Sequence, residues 1–189
     1  MSSKVQICNL ALVRLAGNRI TSLTDDTATA KLCNLLYDDI VEEVTMEGAW
    51  TTAVTRAELS QTSNTPTYEF NNEYQLPTNP KFLKILEVNE GEPGSTVYRI
   101  EGDKLLTDET TMKIKYIGRI DDPQSYGIQL RRAIITRLTA ELAYSVTGQQ
   151  SVTEVWFRQY KREVALGLAN DGQQGSNQFT RASTLHDVR

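Results

Sequence analysis

DTATAKLCNLLYDDIVEEVTME, residues 26–47, and YEFNNEYQL, residues 68–76, follow different periods, and the change between them decides the fold class. In the first stretch Leu32, Leu36, Ile40 and Val44 recur every fourth position, with Cys33, Tyr37 and Val41 as the adjacent row. That is one broad apolar stripe of an amphipathic helix, with Lys31, Asp38, Asp39, Glu42 and Glu43 mostly off it. Thr24 or Asp25 suits its N-cap, and Gly48 follows its end. In the second stretch Tyr68, Phe70, Asn72, Tyr74 and Leu76 alternate with Glu69, Asn71, Glu73 and Gln75. A period of two predicts a strand.

Upstream, residues 3–16 read as a short helix with Ile7, Leu10, Ala11 and Leu15 inward, stopped by Gly17-Asn18. Between the two deciding stretches, residues 49–66 read as a surface loop that turns polar. Downstream, residues 82–88 are dense enough in apolar groups for a strand buried on both faces. Residues 97–100 and 104–107 read as short strands around the hairpin signal Gly102-Asp103, and residues 112–116 as a half-exposed strand. Helical period returns after Asp121-Asp122-Pro123, with Asp122 as cap and Pro123 in the first turn. Ile128, Ile135, Leu138, Leu142 and Val146 form that third face, and Gly148 closes it. Ser151-Val152-Thr153-Glu154 is a capping box for a fourth helix through residue 170, with Val152, Trp156, Tyr160 and Val164 inward.

The expected fold is α+β: a four-helix bundle with a small antiparallel β insertion between helices 2 and 3 and an extended C-terminal tail. Residues 1–48 carry the first two helices, 49–120 the loop and β insertion, 121–170 the last two helices, and 171–189 a polar tail with few large apolar groups.

With 20 Lys plus Arg against 24 Asp plus Glu, the net charge is −4, which argues against a dedicated nucleic-acid binder. No run of 18 apolar residues predicts a membrane span, and Arg14 interrupts the apolar run that a secretory leader would need. Two cysteines, Cys8 and Cys33, are too few for a disulfide framework and read as reduced core residues. His186, the one histidine, lies too near the C-terminus to be held rigidly in a catalytic triad. No metal-ligand spacing and no phosphate-binding loop occurs, so neither metal nor cofactor is expected. The doublets Asp38-Asp39 and Glu42-Glu43 read as a solvated helix face. Arg131, Arg132 and Arg137 with Lys161 and Arg162 form a basic strip, and WFRQYK, residues 156–161, reads as core aromatics among charges.

The order of motifs resembles the tail tubular protein A family, the head-to-tail adaptor beneath the portal of short-tailed bacteriophages. The resemblance rests on NLALVRLAGNRITSLTDDTATAKLCNLLYDDIVEEV (9–44), GAWTTAVTRAEL (48–59), YEFNNEYQLPTNPKFLKILEV (68–88) and MKIKYIGRIDDPQSYGIQLRRAIITRLTAELAYSVTG (112–148). The chain departs from the family pattern at Thr51-Thr52 and at Tyr126-Gly127.

The resemblance implies a structural protein without catalytic residues. It would sit in the virion tail after synthesis in the host bacterial cytoplasm, as a ring, usually of twelve copies, through which DNA passes without specific binding. Its partners would be the portal protein, the tail nozzle protein and further copies of itself, with no membrane. Asp38, Asp39, Glu42 and Glu43 on one side, and Arg131, Arg132, Lys161 and Arg162 on the other, are the candidate inter-subunit residues. Phe179, Arg181 and Leu185 are the candidate portal-binding residues of the tail. Two alternatives are a virion-associated cell-wall glycan hydrolase using two carboxylates, and a soluble nucleic-acid-binding module using the basic strip.

Overall fold

Four helices and six strands account for the computed structural model, which describes residues 3–89 and 96–172. In chain order they are α1 (Lys4–Arg14), α2 (Ala28–Met46), β1 (Val54–Glu58), β2 (Asn72–Gln75), β3 (Phe82–Val88), β4 (Tyr98–Glu101), β5 (Lys104–Thr107), β6 (Lys113–Gly118), α3 (Ile128–Thr147) and α4 (Gln150–Gly172). A single 3-10 turn, Pro123–Ser125, precedes α3. The strands make two antiparallel sheets, ordered β1-β6-β3 and β2-β5-β4. Residues 90–95 and 173–189, and with the latter the candidate tail residues Phe179, Arg181 and Leu185, lie outside the described residues.

This overturns the expected four-helix bundle with a small β insertion. The helices are split by two full three-stranded sheets, and α3 is the common partner against which α1, α2 and α4 each pack. Residues on every side of α3 are buried, among them Leu130, Ala133, Ile134, Leu138, Thr139 and Leu142. The main core is closed from the sheet side as well. Ile117 of β6 and Ala53 are buried in it, and Val54, Leu83 and Ile120 pack against it. A helical period names the face a helix buries but not the element that covers it, and here a sheet supplies part of the cover.

The first correction along the chain is β1. Residues 54–58 read as loop, yet they pair with β6 from Val54↔Ile117 to Glu58↔Lys113. β6 is therefore a central strand, with Ile114, Tyr116, Ile117 and Gly118 buried. β3 is the opposite case. It is an edge strand with Lys84, Leu86 and Glu87 exposed, because its register against β6 shifts twice and rotates its side chains. The alternation over residues 68–76 holds only from Asn72. Tyr68 is exposed, and Glu69 takes a positive φ of 74° that ends extended pairing. The second sheet and β6 share a separate core of Leu59, Tyr74, Leu76, Leu105, Met112, Ile114 and Tyr116.

The hairpin signal at Gly102-Asp103 holds: Glu101 faces Lys104, and Gly102 takes φ +60°, open to any residue only at a cost that glycine avoids. The helix ends differ from expectation. Thr27 caps α2, its hydroxyl accepting from the Ala30 N–H at 3.2 Å. Asp25 instead ties the preceding turn, accepting from the N–H groups of Ser22 and Thr21 and from the Thr21 hydroxyl, which holds its carboxyl below the usual carboxylate range. Asp122 caps the 3-10 turn rather than α3. Leu10 and Ile128, expected inward, are exposed.

At the end of α1 the left-handed residue is Ala16, with φ 54°, while Gly17 donates its N–H to the Leu12 carbonyl at 2.9 Å. A left-handed non-glycine residue costs about 1–2 kcal/mol, partly offset in a glycine variant by the looser unfolded chain. Ala16 is exposed, so Ala16→Gly should stabilise by about 0.5–1 kcal/mol and raise the thermal midpoint by about 2 °C, read by scanning calorimetry.

Candidate inter-subunit surfaces

The acidic doublets of α2 do not form a uniform solvated face. Asp38 pairs with Lys4 of α1 at 2.9 Å and with Arg119, just after β6, at 3.1 Å. Glu42 pairs with Lys81 at 2.9 Å and with Arg119 at 3.3 Å. Arg119 also sets its Nε 3.0 Å from Asp121, an ion pair whose geometry is off-line for a hydrogen bond. Arg119 thus joins α2, the end of β6 and the strand-to-α3 connection. Its partners are partly exposed, so each pair contributes little alone, and the network acts mainly on geometry.

Glu43 pairs with Arg137 of α3 at 3.0 Å, and Arg137 also pairs with Glu141 at 2.9 Å. The same guanidinium lies over the rings of Phe157 and Tyr160 in α4, at 4.8 and 5.6 Å from their centroids. Arg137 therefore links α2, α3 and α4 by charge and by cation–π contact. Arg14 of α1 covers Trp156 in the same way at 5.5 Å. The aromatic residues of WFRQYK thus carry arginines of their own chain on their faces.

The candidate residues consequently divide. Asp38, Glu42 and Glu43 are engaged within the subunit, and Arg132 reaches Glu163 at 3.6 Å. Arg131 is half-buried on α3. Asp39 on α2 and Lys161 and Arg162 on α4 are exposed and make no ion pair among the described residues. α2 and α4 both pack on α3, so the outward face of each points away from it. On α2 that face carries Leu35, 69% exposed, and Met46. On α4 it carries Val155 and Leu166, each 52% exposed.

Sequence reasoning missed the contact that fixes the end of α4. Asp171, read as the first tail residue, is buried in the last turn of α4. Its carboxylate accepts from the Thr51 backbone N–H and from the Thr51 hydroxyl, the latter at 3.0 Å. Trp50 is buried beside it, donating its indole N–H to the Val44 carbonyl at 2.9 Å. Gly167 and Gly48 allow this approach. A Cβ on Gly167 would sit 3.1 Å from the Trp50 ring, and one on Gly48 would fall inside the Leu168 side chain. A signal existed in the sequence: glycine at 167, four before Asp171, and at 48, on the connection opposite it.

A cleft of about 270 Å³ lies between the loop around Tyr68 and the β2-β5-β4 sheet, with Glu69, Glu73 and Glu101 on its wall. Glu69 pairs with Arg99 at 2.8 Å and Glu73 accepts from the Thr62 hydroxyl at 2.8 Å. Cys8 and Cys33 are free and fully buried, and their mutual hydrogen bond, with burial, pushes the Cys8 thiol above the usual thiol range. Among the described residues no group of three His, Cys, Asp or Glu is placed to hold a metal ion. Among them, too, no helix is long and apolar enough to cross a membrane. Compared with known proteins, the chain matches no family model and no curated sequence.

Proposed function

We propose that the chain is a structural head-to-tail adaptor of a short-tailed bacteriophage, one subunit of a ring between portal and tail nozzle through which DNA passes. The ordered resemblance, over about residues 5–169, motivates this reading. The observation that supports it best is the pair of outward helical faces, on α2 and on α4, each apolar with exposed charge and each turned away from α3. Two different unpartnered faces on one chain suit a heterologous contact, in which each copy meets the next through unlike surfaces and a ring results when the rotation closes. In this role the chain works by shape, in the virion tail, and needs no bond chemistry.

The experiment is electron microscopy of the full-length protein mixed with its cognate portal. A ring of adaptor density under the portal is the expected result, and a portal that stays bare at high adaptor concentration defeats the proposal. The companion variant is a chain ended after Gly172 rather than before Asp171, because Asp171 holds Thr51. That variant should keep its helical circular dichroism and lose portal occupancy if residues 173–189 carry the docking anchors Phe179, Arg181 and Leu185. Undiminished occupancy would remove those three residues from the interface.

A further inference from the structure

The outward faces of α2 and α4 match in spacing as well as in charge. On α2, Leu35 and Met46 are eleven residues apart, and on α4, Val155 and Leu166 are eleven residues apart. Eleven residues make just over three turns, so each pair lies on one line along its helix, about 16 Å end to end. Laid antiparallel, Leu35 meets Leu166 and Met46 meets Val155. The same alignment sets position 39 against position 162, since each lies four residues inside its matched apolar partner. Those positions hold Asp39 and Arg162, both exposed, of opposite sign, and without an ion pair among the described residues.

We propose that α4 of one copy docks antiparallel on α2 of the next, with Asp39 and Arg162 as the central ion pair between two apolar contacts. The occupant of each face is therefore a second copy of this chain. This inference rests on the ring reading and deepens it by naming the contact. α3 stands between the two faces of any one subunit, so the match can only be satisfied between copies. The apolar pairs exclude water from the central charges, which strengthens their attraction and fixes the register. In the parallel alignment Leu35 meets Val155 and Asp39 meets Gln159, which leaves Asp39 without a partner, while Arg162 meets Glu42, a carboxylate already engaged by Lys81 and Arg119.

The test uses full-length protein in sedimentation experiments, and the same variants assembled on the portal. Asp39→Lys and Arg162→Glu should each weaken self-association by about tenfold or more, and the double variant Asp39→Lys/Arg162→Glu should recover to within about threefold of the parent. A second measurement fixes direction. Leu35→Cys/Leu166→Cys should give a disulfide-linked ladder under oxidised glutathione, and Leu35→Cys/Val155→Cys should not. Self-association that ignores both charge reversals, or that links position 35 to 155, overturns the contact and leaves the ring reading in place. Absence of any multimer, both free and on the portal, overturns the contact and the ring reading together.

Discussion

Trp50→Ala should remove about 3–5 kcal/mol of folding free energy, the usual cost of emptying a fully packed tryptophan site. Small domains are stable by about 5–15 kcal/mol in total, so the variant should lie near the edge of folding at 37 °C. The size of the effect follows from what the side chain does. Trp50 is 1% exposed, its indole N–H donates to the last turn of α2 at Val44, and its ring packs against Gly167 of α4. Truncation leaves a cavity between two helices and an unsatisfied carbonyl. Neither can be closed by collapse, since Gly167 has no side chain to move in. Urea unfolding followed by circular dichroism reads the loss, and a midpoint within 1 kcal/mol of the parent by that measure would refute the account of Trp50 as the lock between α2 and α4.

Leu105→Ala should cost about 2–5 kcal/mol, and its effect should be distributed differently. Leu105 is fully buried in the core shared by the second sheet and β6, away from the helical core. β5 is the middle strand of its sheet, paired on one side with β2 and on the other with β4. Emptying its centre weakens both pairings together. Amide hydrogen exchange in β2, β4 and β5 should accelerate by about thirtyfold or more, while amides of α3 change less. Equal acceleration in α3 would show that the two cores open as one unit.

The helices were legible in the sequence because four-residue spacing survives whatever surrounds it. Cys33, Tyr37, Ile40, Val41 and Val44 are inward in α2 as the spacing requires, and Tyr160 and Val164 are inward in α4. The β hairpin was legible from Gly102-Asp103 because a two-residue turn tolerates few residue types. β1 was not, since Val54, Thr55, Arg56, Ala57 and Glu58 show no alternation strong enough to stand apart from a loop. Its strand character comes from β6 beside it. The architecture was misjudged for a related reason. An apolar stripe does not reveal whether a helix or a sheet lies against it, and Ile117 and Val54 cover part of what a bundle would have closed.

The candidate surface was legible in part. Charge along α2 and α4 was visible from composition, but which carboxylates were already engaged depended on Arg119 and Arg137, which arrive from distant sequence. Asp38, Glu42 and Glu43 lost their availability to those arginines, and Asp39, exposed on α2, makes no ion pair among the described residues.

The clasp between Asp171 and Thr51 has a mechanical meaning. The last turn of α4 is tied by Asp171 to the connection that leaves α2, directly beside the buried Trp50, so traction on the polypeptide past Gly172 would be delivered into the core rather than dissipated by peeling a frayed helix end.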